Sequence, residues 1–124
     1  MRRALLFVAV LVLLAPASAL ARRAVSGAAK DPLVHAALGS KVPRQCAAVY
    51  ISTVNTLWGD VSFRPATGWR ARCAPFAANG WTVLHHARGR WRTAWSGSAI
   101  PCPIPHTPVA VARDLRIICY PLIP

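Results

Sequence analysis

The chain has 124 residues, of which 15 are Lys or Arg and three are acidic, a formal charge of +12. The acids are Asp31, Asp60 and Asp114, and Glu is absent. Chemistry that needs paired carboxylates is therefore nearly excluded, and the length suits one domain with a modest core.

The chain opens with Met1-Arg2-Arg3, an uninterrupted apolar run from Ala4 to Leu14, and Ala15-Pro16-Ala17-Ser18-Ala19-Leu20-Ala21. A positive n-region, an apolar stretch and small residues after a helix breaker predict a cleavable secretory signal peptide over 1–21. Two A-x-A sites overlap; cleavage after Ala21 is preferred, with Ala19 as the alternative. The apolar run is shorter than the roughly 20 residues of a membrane span, so no transmembrane span is expected in the mature protein, and the predicted location is extracellular. Removing 1–21 takes Arg2 and Arg3 with it and leaves 13 basic residues against the three acids, a formal charge of +10. Such a balance favours polyanionic partners: nucleic acid, anionic lipid or anionic wall polymer. GC-rich coding, which enriches Arg, Ala and Pro, is the competing origin of that charge.

Residues 22–42 read as a flexible basic tail containing a short helix over 31–39. In that helix Asp31 is the N-cap, Pro32 the first helical residue and Gly39 the stop. The single domain is expected over 43–124. Its first strand covers 47–53, around Val49-Tyr50-Ile51, and a second follows at 61–64 before Pro65. A third strand is expected at Trp69 to Cys73.

The clearest local pattern is a hairpin at 81–96. Two runs of aromatic and β-branched residues flank Ala87-Arg88-Gly89-Arg90. With Arg88-Gly89 as a two-residue loop, His86 faces Trp91 and Leu84 faces Thr93. Strict alternation then puts Leu84, His86, Trp91 and Trp95 on one face, and Trp81, Val83, His85 and Arg92 on the other. Residues 101–108 are too Pro-rich for regular structure. Thr107 is expected to cap a C-terminal helix that begins at Pro108 and packs Val111 and Leu115 onto the sheet. The apolar tail Tyr120 to Pro124 is expected to lie along the body.

Four Cys, Cys46, Cys73, Cys102 and Cys119, in a small exported chain predict two disulfides. Four Cys allow three pairings, and sequence alone does not choose among them. Cys46–Cys73 with Cys102–Cys119 is preferred, because the second bridge ties the C-terminal segment back across a short loop. No C-x-x-C pair supports a zinc site. The fold expected is α+β: a small, disulfide-stabilised antiparallel sheet with a central hairpin and a short C-terminal helix.

The run Asn79-Gly80-Trp81, Val83-Leu84-His85, Gly89-Arg90-Trp91, Gly97-Ser98, Cys102, Val111, Asp114-Leu115 and Cys119 resembles small secreted Cys-containing proteins of high-GC Gram-positive bacteria. The resemblance covers more than half of the mature chain. It implies a secreted Cys-containing domain and brings no catalytic residue with it.

No catalytic, metal or cofactor site is assigned. Adjacent strand residues point to opposite faces, so His85 and His86 do not readily share a metal or a substrate. Ser96 and Ser98 lack a G-x-S-x-G context, and Asp114 reads as a helix residue within reach of an Arg. The five Trp read mainly as core and hairpin aromatics. The binding candidate is the hairpin, where Arg88, Arg90 and Arg92 interleave with Trp91 and Trp95 as in grips on single-stranded nucleic acid. The expected function is an exported non-enzymatic domain that binds an anionic partner at or outside the cell envelope. The alternative is a small secreted hydrolase such as a basic nuclease, using His85 or His106.

Overall fold

The structure is a computed structural model that describes residues 22–117 and 119. The expected signal peptide and the C-terminal tail lie outside the described residues. Five strands form one antiparallel sheet in sequence order: β1 (Arg23–Ala24), β2 (Ala47–Ile51), β3 (Trp58–Phe63), β4 (Trp81–Ala87) and β5 (Arg90–Gly97). Three short helices accompany them: α1 (Asp31–Leu38), α2 (Arg70–Cys73) and α3 (Val109–Asp114). The architecture is the expected α+β one with a hairpin and a C-terminal helix, but the sheet is larger than expected, and the hairpin lies at its edge and not at its centre because β5 is the last strand.

The fold begins well before residue 43. The segment read as a flexible tail supplies edge strand β1, which pairs Arg23 with Ile51 and Ala24 with Tyr50. It also supplies α1, whose Leu33 and Val34 are buried against the sheet. Apolar side chains at adjacent helical positions gave this segment a face to bury, and that burial holds a helix too short to persist alone. Asp31 does not cap α1. A 3-10 turn at Gly27–Lys30 runs directly into the helix, and Asp31 lies within its first turn. There its carboxylate pairs with Arg44 at 2.9 Å. Gly39 ends the helix as expected, at φ 105°.

Two layers cover the sheet. On one face, α1 and the loop around Cys46 and Cys73 pack on Val49, Ile51, Val61 and Leu84. On the other, Ile100, Ile104, Val111, Leu115 and Ile117 pack on Trp58 and Val83. Each layer has its own disulfide, Cys46–Cys73 and Cys102–Cys119, with Cα–Cα distances of 5.3 and 5.2 Å. This is the preferred pairing. Cys46 and Cys73 are buried within the first layer, and Cys119 packs against the second.

The third expected strand is instead helical. The Cys73 N–H donates to Trp69 O at 2.9 Å, closing a helical turn over Arg70–Cys73. Arg-Ala-Arg-Cys contains no β-branched residue, and Gly68 at φ 82° turns the chain out of the sheet just before it. At the C-terminal helix, the Thr107 hydroxyl donates back to Pro105 O at 3.2 Å and makes no cap. The helix starts at Val109, one residue later than expected, with Val111 and Leu115 buried as anticipated.

Candidate functional site

The hairpin forms with Arg88-Gly89 as its loop. Both residues have positive φ, 53° and 78°, as a type I′ turn requires. His86 pairs with Trp91 and Leu84 with Thr93, in the anticipated register. Beyond them the register shifts: Val83 pairs with Trp95, leaving Ala94 as an extra residue between the two pairs. This bulge breaks the alternation. Trp95 therefore joins Val83 on the opposite face from Trp91, correcting the shared face expected for Leu84, His86, Trp91 and Trp95. Trp91 packs against the α1 layer and Trp95 against the C-terminal layer.

Arg88, Arg90 and Arg92 are all exposed along this hairpin, whereas Trp91 and Trp95 are half-buried. The structure thus presents the three guanidiniums but separates the two indoles on which a stacking grip would depend. His85 and His86 also part to opposite faces. His85 stacks on Trp58 with ring centroids 4.2 Å apart, and His86 meets Trp91 edge-on at 5.1 Å. His106 is exposed in the loop before α3. Among the described residues, no group of three or more His, Cys, Asp or Glu side chains could hold a metal ion.

A second basic region lies at the open end of the C-terminal face. A cleft of about 420 Å³ there is lined by Arg22, Arg64 and Arg116 together with Tyr50, Asn79 and Trp81. No carboxylate lines it. The sheet assembles it: Tyr50 comes from β2, and Trp81 pairs with Ser62 across β3 and β4. Arg64 follows β3 directly, and its N–H donates to Cys46 O at 2.8 Å. Arg116 follows α3 at φ 57°. Arg22 is held from two sides, by a bond to Leu115 O at 3.1 Å and by its guanidinium 3.7 Å above the Tyr50 ring. Gly80 shapes the rim: at φ 86°, a Cβ there would lie 2.1 Å from Gly97 O, so no side chain fits. Trp81 alone of the five Trp is exposed, at 38 %. No local signal in the sequence joins these residues, because Arg22 and Arg116 come from opposite ends of the chain.

Asp60 sits beside this cleft, inside the fold. Its cross-strand partners are Tyr50 and Val83. It is 1 % exposed, and neither carboxylate oxygen has a hydrogen-bond partner. Burial pushes its pKa up to about 7, against the opposing pull of Arg22.

Asp114 behaves differently. Its carboxylate accepts from the Thr53 N–H at 2.6 Å and from the Thr53 hydroxyl at 2.8 Å. Desolvation raises its pKa, but these bonds, with others from Ser52 and Val54, outweigh it and hold the carboxyl below its ordinary value. The contact fastens the β2–β3 turn to the end of α3.

Comparison with protein-family models, with curated proteins and with solved structures gave no match.

Proposed function

We propose that the protein is an exported, non-enzymatic module that binds an anionic partner at the cell envelope or outside it. One observation carries this reading: the exposed arginines of the hairpin and the cleft have almost no carboxylate beside them. Asp60 is buried and Asp31 is paired with Arg44, which leaves Asp114, charged and bonded to Thr53 at the β2–β3 turn. The exposed guanidiniums of the hairpin and the cleft rim are left with almost nothing to offset them. A surface of one sign attracts polyanions and exchanges their counterions for arginine. Two disulfides suit an oxidising compartment, and no helix among the described residues is long and apolar enough to cross a membrane.

The test is a fluorescence titration against single-stranded DNA, RNA and an anionic wall polymer at two salt concentrations. Affinity should fall steeply as salt rises. Replacing Arg88, Arg90 and Arg92 together by Ala should flatten the salt slope more than replacing Arg23, Arg70 and Arg113. No binding to any of these polymers at low salt overturns the proposal.

A further inference from the structure

We propose that the Arg22–Arg64–Arg116 cleft is a discrete binding site for a phosphorylated sugar, with the phosphoryl oxygens on the guanidiniums and the sugar ring against Trp81. This rests on the reading of the protein as an anion binder and goes beyond it, from a diffuse basic surface to one saturable site with a preferred ligand chemistry.

Three features converge on it. The first is size. About 420 Å³ falls in the range of small-molecule sites; it suits a single sugar phosphate and is too small for a folded polymer segment. The second is the donor set. Guanidinium forks match phosphoryl oxygens in pairs, and three arginines line the cleft, from the N-terminal segment, the end of β3 and the end of α3. Arg22 is already positioned by Leu115 O and the Tyr50 ring, so little side-chain freedom is lost when an anion arrives. The third is the aromatic surface. The Tyr50 face is covered by Arg22, whereas Trp81 is exposed at the rim. Asn79 beside it offers the amide donors and acceptor that sugar hydroxyls need.

Asp60 gives the site an unusual background. The Asp60 carboxyl, which feels the Arg22 charge, is sealed inside the fold with both oxygens unpartnered. It makes no ion pair with Arg22, so the guanidinium keeps its charge available to an outside anion.

The experiment is a calorimetric and NMR titration of the folded mature protein with four probes: ribose 5-phosphate, glycerol 3-phosphate, inorganic phosphate and ribose. Ribose 5-phosphate should bind at one site and shift the Trp81 indole resonance. Glycerol 3-phosphate and inorganic phosphate, which lack the ring, should bind at least several-fold more weakly, and ribose should not bind. Arg64→Ala and Arg116→Gly should each weaken ribose 5-phosphate at least tenfold, by loss of a charge-assisted contact. Glycine is chosen at 116 because it tolerates the positive φ. Trp81→Leu should erase the preference for ribose 5-phosphate over inorganic phosphate while leaving phosphate binding in place. Unchanged far-ultraviolet circular dichroism and the absence of free thiols confirm that each variant is folded.

The Arg88/Arg90/Arg92 triple-Ala variant should bind ribose 5-phosphate as the wild type does. If that variant loses ribose 5-phosphate while Arg64→Ala and Arg116→Gly keep it, the cleft assignment is overturned and the general anion-binding reading survives. Polymer binding without any saturable sugar-phosphate binding likewise overturns the cleft assignment alone. Equal affinity for ribose and ribose 5-phosphate overturns the assignment as well. Loss of binding to both polymers and sugar phosphates overturns both proposals.

Discussion

The two faces of the sheet are built alike and finished differently. Each is covered by irregular chain with a short helix, and each is fastened by one disulfide. The α1 face closes over an apolar cluster, and its buried polar residue Thr82 is hydrogen-bonded to Ser96. The C-terminal face buries Asp60 without a hydrogen-bond partner and opens at its end into an arginine-lined cleft. An unpaired buried carboxyl costs stability whenever it ionises. One face therefore satisfies its buried polar group, and the other accepts a cost beside a basic cleft.

The largest expected test of that contrast is the pH dependence of stability. Asp60 has a folded pKa of about 7, above its ordinary 3.8. The native state therefore binds more protons than the unfolded chain between those values, and stability falls as pH rises through that window. The total loss is on the order of 4 kcal/mol, at roughly 1.4 kcal/mol per pKa unit, and it is complete above pH 7. Asp114, held below its ordinary value, acts in the opposite sense, losing its contribution only in stronger acid. Asp60→Asn should remove the falling slope and be more stable than wild type at pH 8. Urea denaturation at half-unit steps from pH 4 to 8 measures this; parallel curves for the two proteins would dismiss Asp60 as the source.

The disulfides come next. By loop entropy, each bridge contributes about 3 kcal/mol or slightly more, with sequence separations of 27 and 17. A Cys46→Ala/Cys73→Ala variant should loosen the α1 face and leave sugar-phosphate affinity unchanged wherever the protein is still folded. Cys102→Ala/Cys119→Ala should lose similar stability and also weaken the cleft, because Arg116 lies in the loop that this bridge closes. Hydrogen exchange would show which layer opens in each variant. Equal effects of both on affinity would mean that the two faces are not independent.

The smallest effect concerns the latch between Asp114 and Thr53. Asp114→Asn keeps the shape and removes the charge from two short bonds, at a cost of about 1–2 kcal/mol. Exchange protection should fall at Thr53 and through α3 while β2 to β5 keep theirs. Protection lost uniformly across the sheet would show that the contact holds more than the C-terminal layer.

What could be read without the structure was local. The Arg88-Gly89 turn and its His86–Trp91 pairing follow from residue types within a few positions of one another. So do the stop at Gly39 and the break at Pro65. The sheet and its α+β class follow from alternating β-branched and aromatic runs. The disulfide partners were preferred from loop length, and the fold brings their Cα atoms together. Tertiary structure decided everything that depends on which layer lies opposite. α1 is marginal as an isolated helix, and only its burial under the sheet makes the 22–42 segment part of the domain. Trp95 left the face of Trp91 because one residue bulged, and a period of two cannot survive an inserted residue. Asp60 falls just before the expected second strand; it joins β3 because that strand starts at Trp58, and it is buried because the C-terminal segment covers that face. The cleft unites Arg22, Arg64 and Arg116 across nearly the whole chain. Long-range assembly of that kind is set by sheet order and layer packing, and no window of sequence contains it.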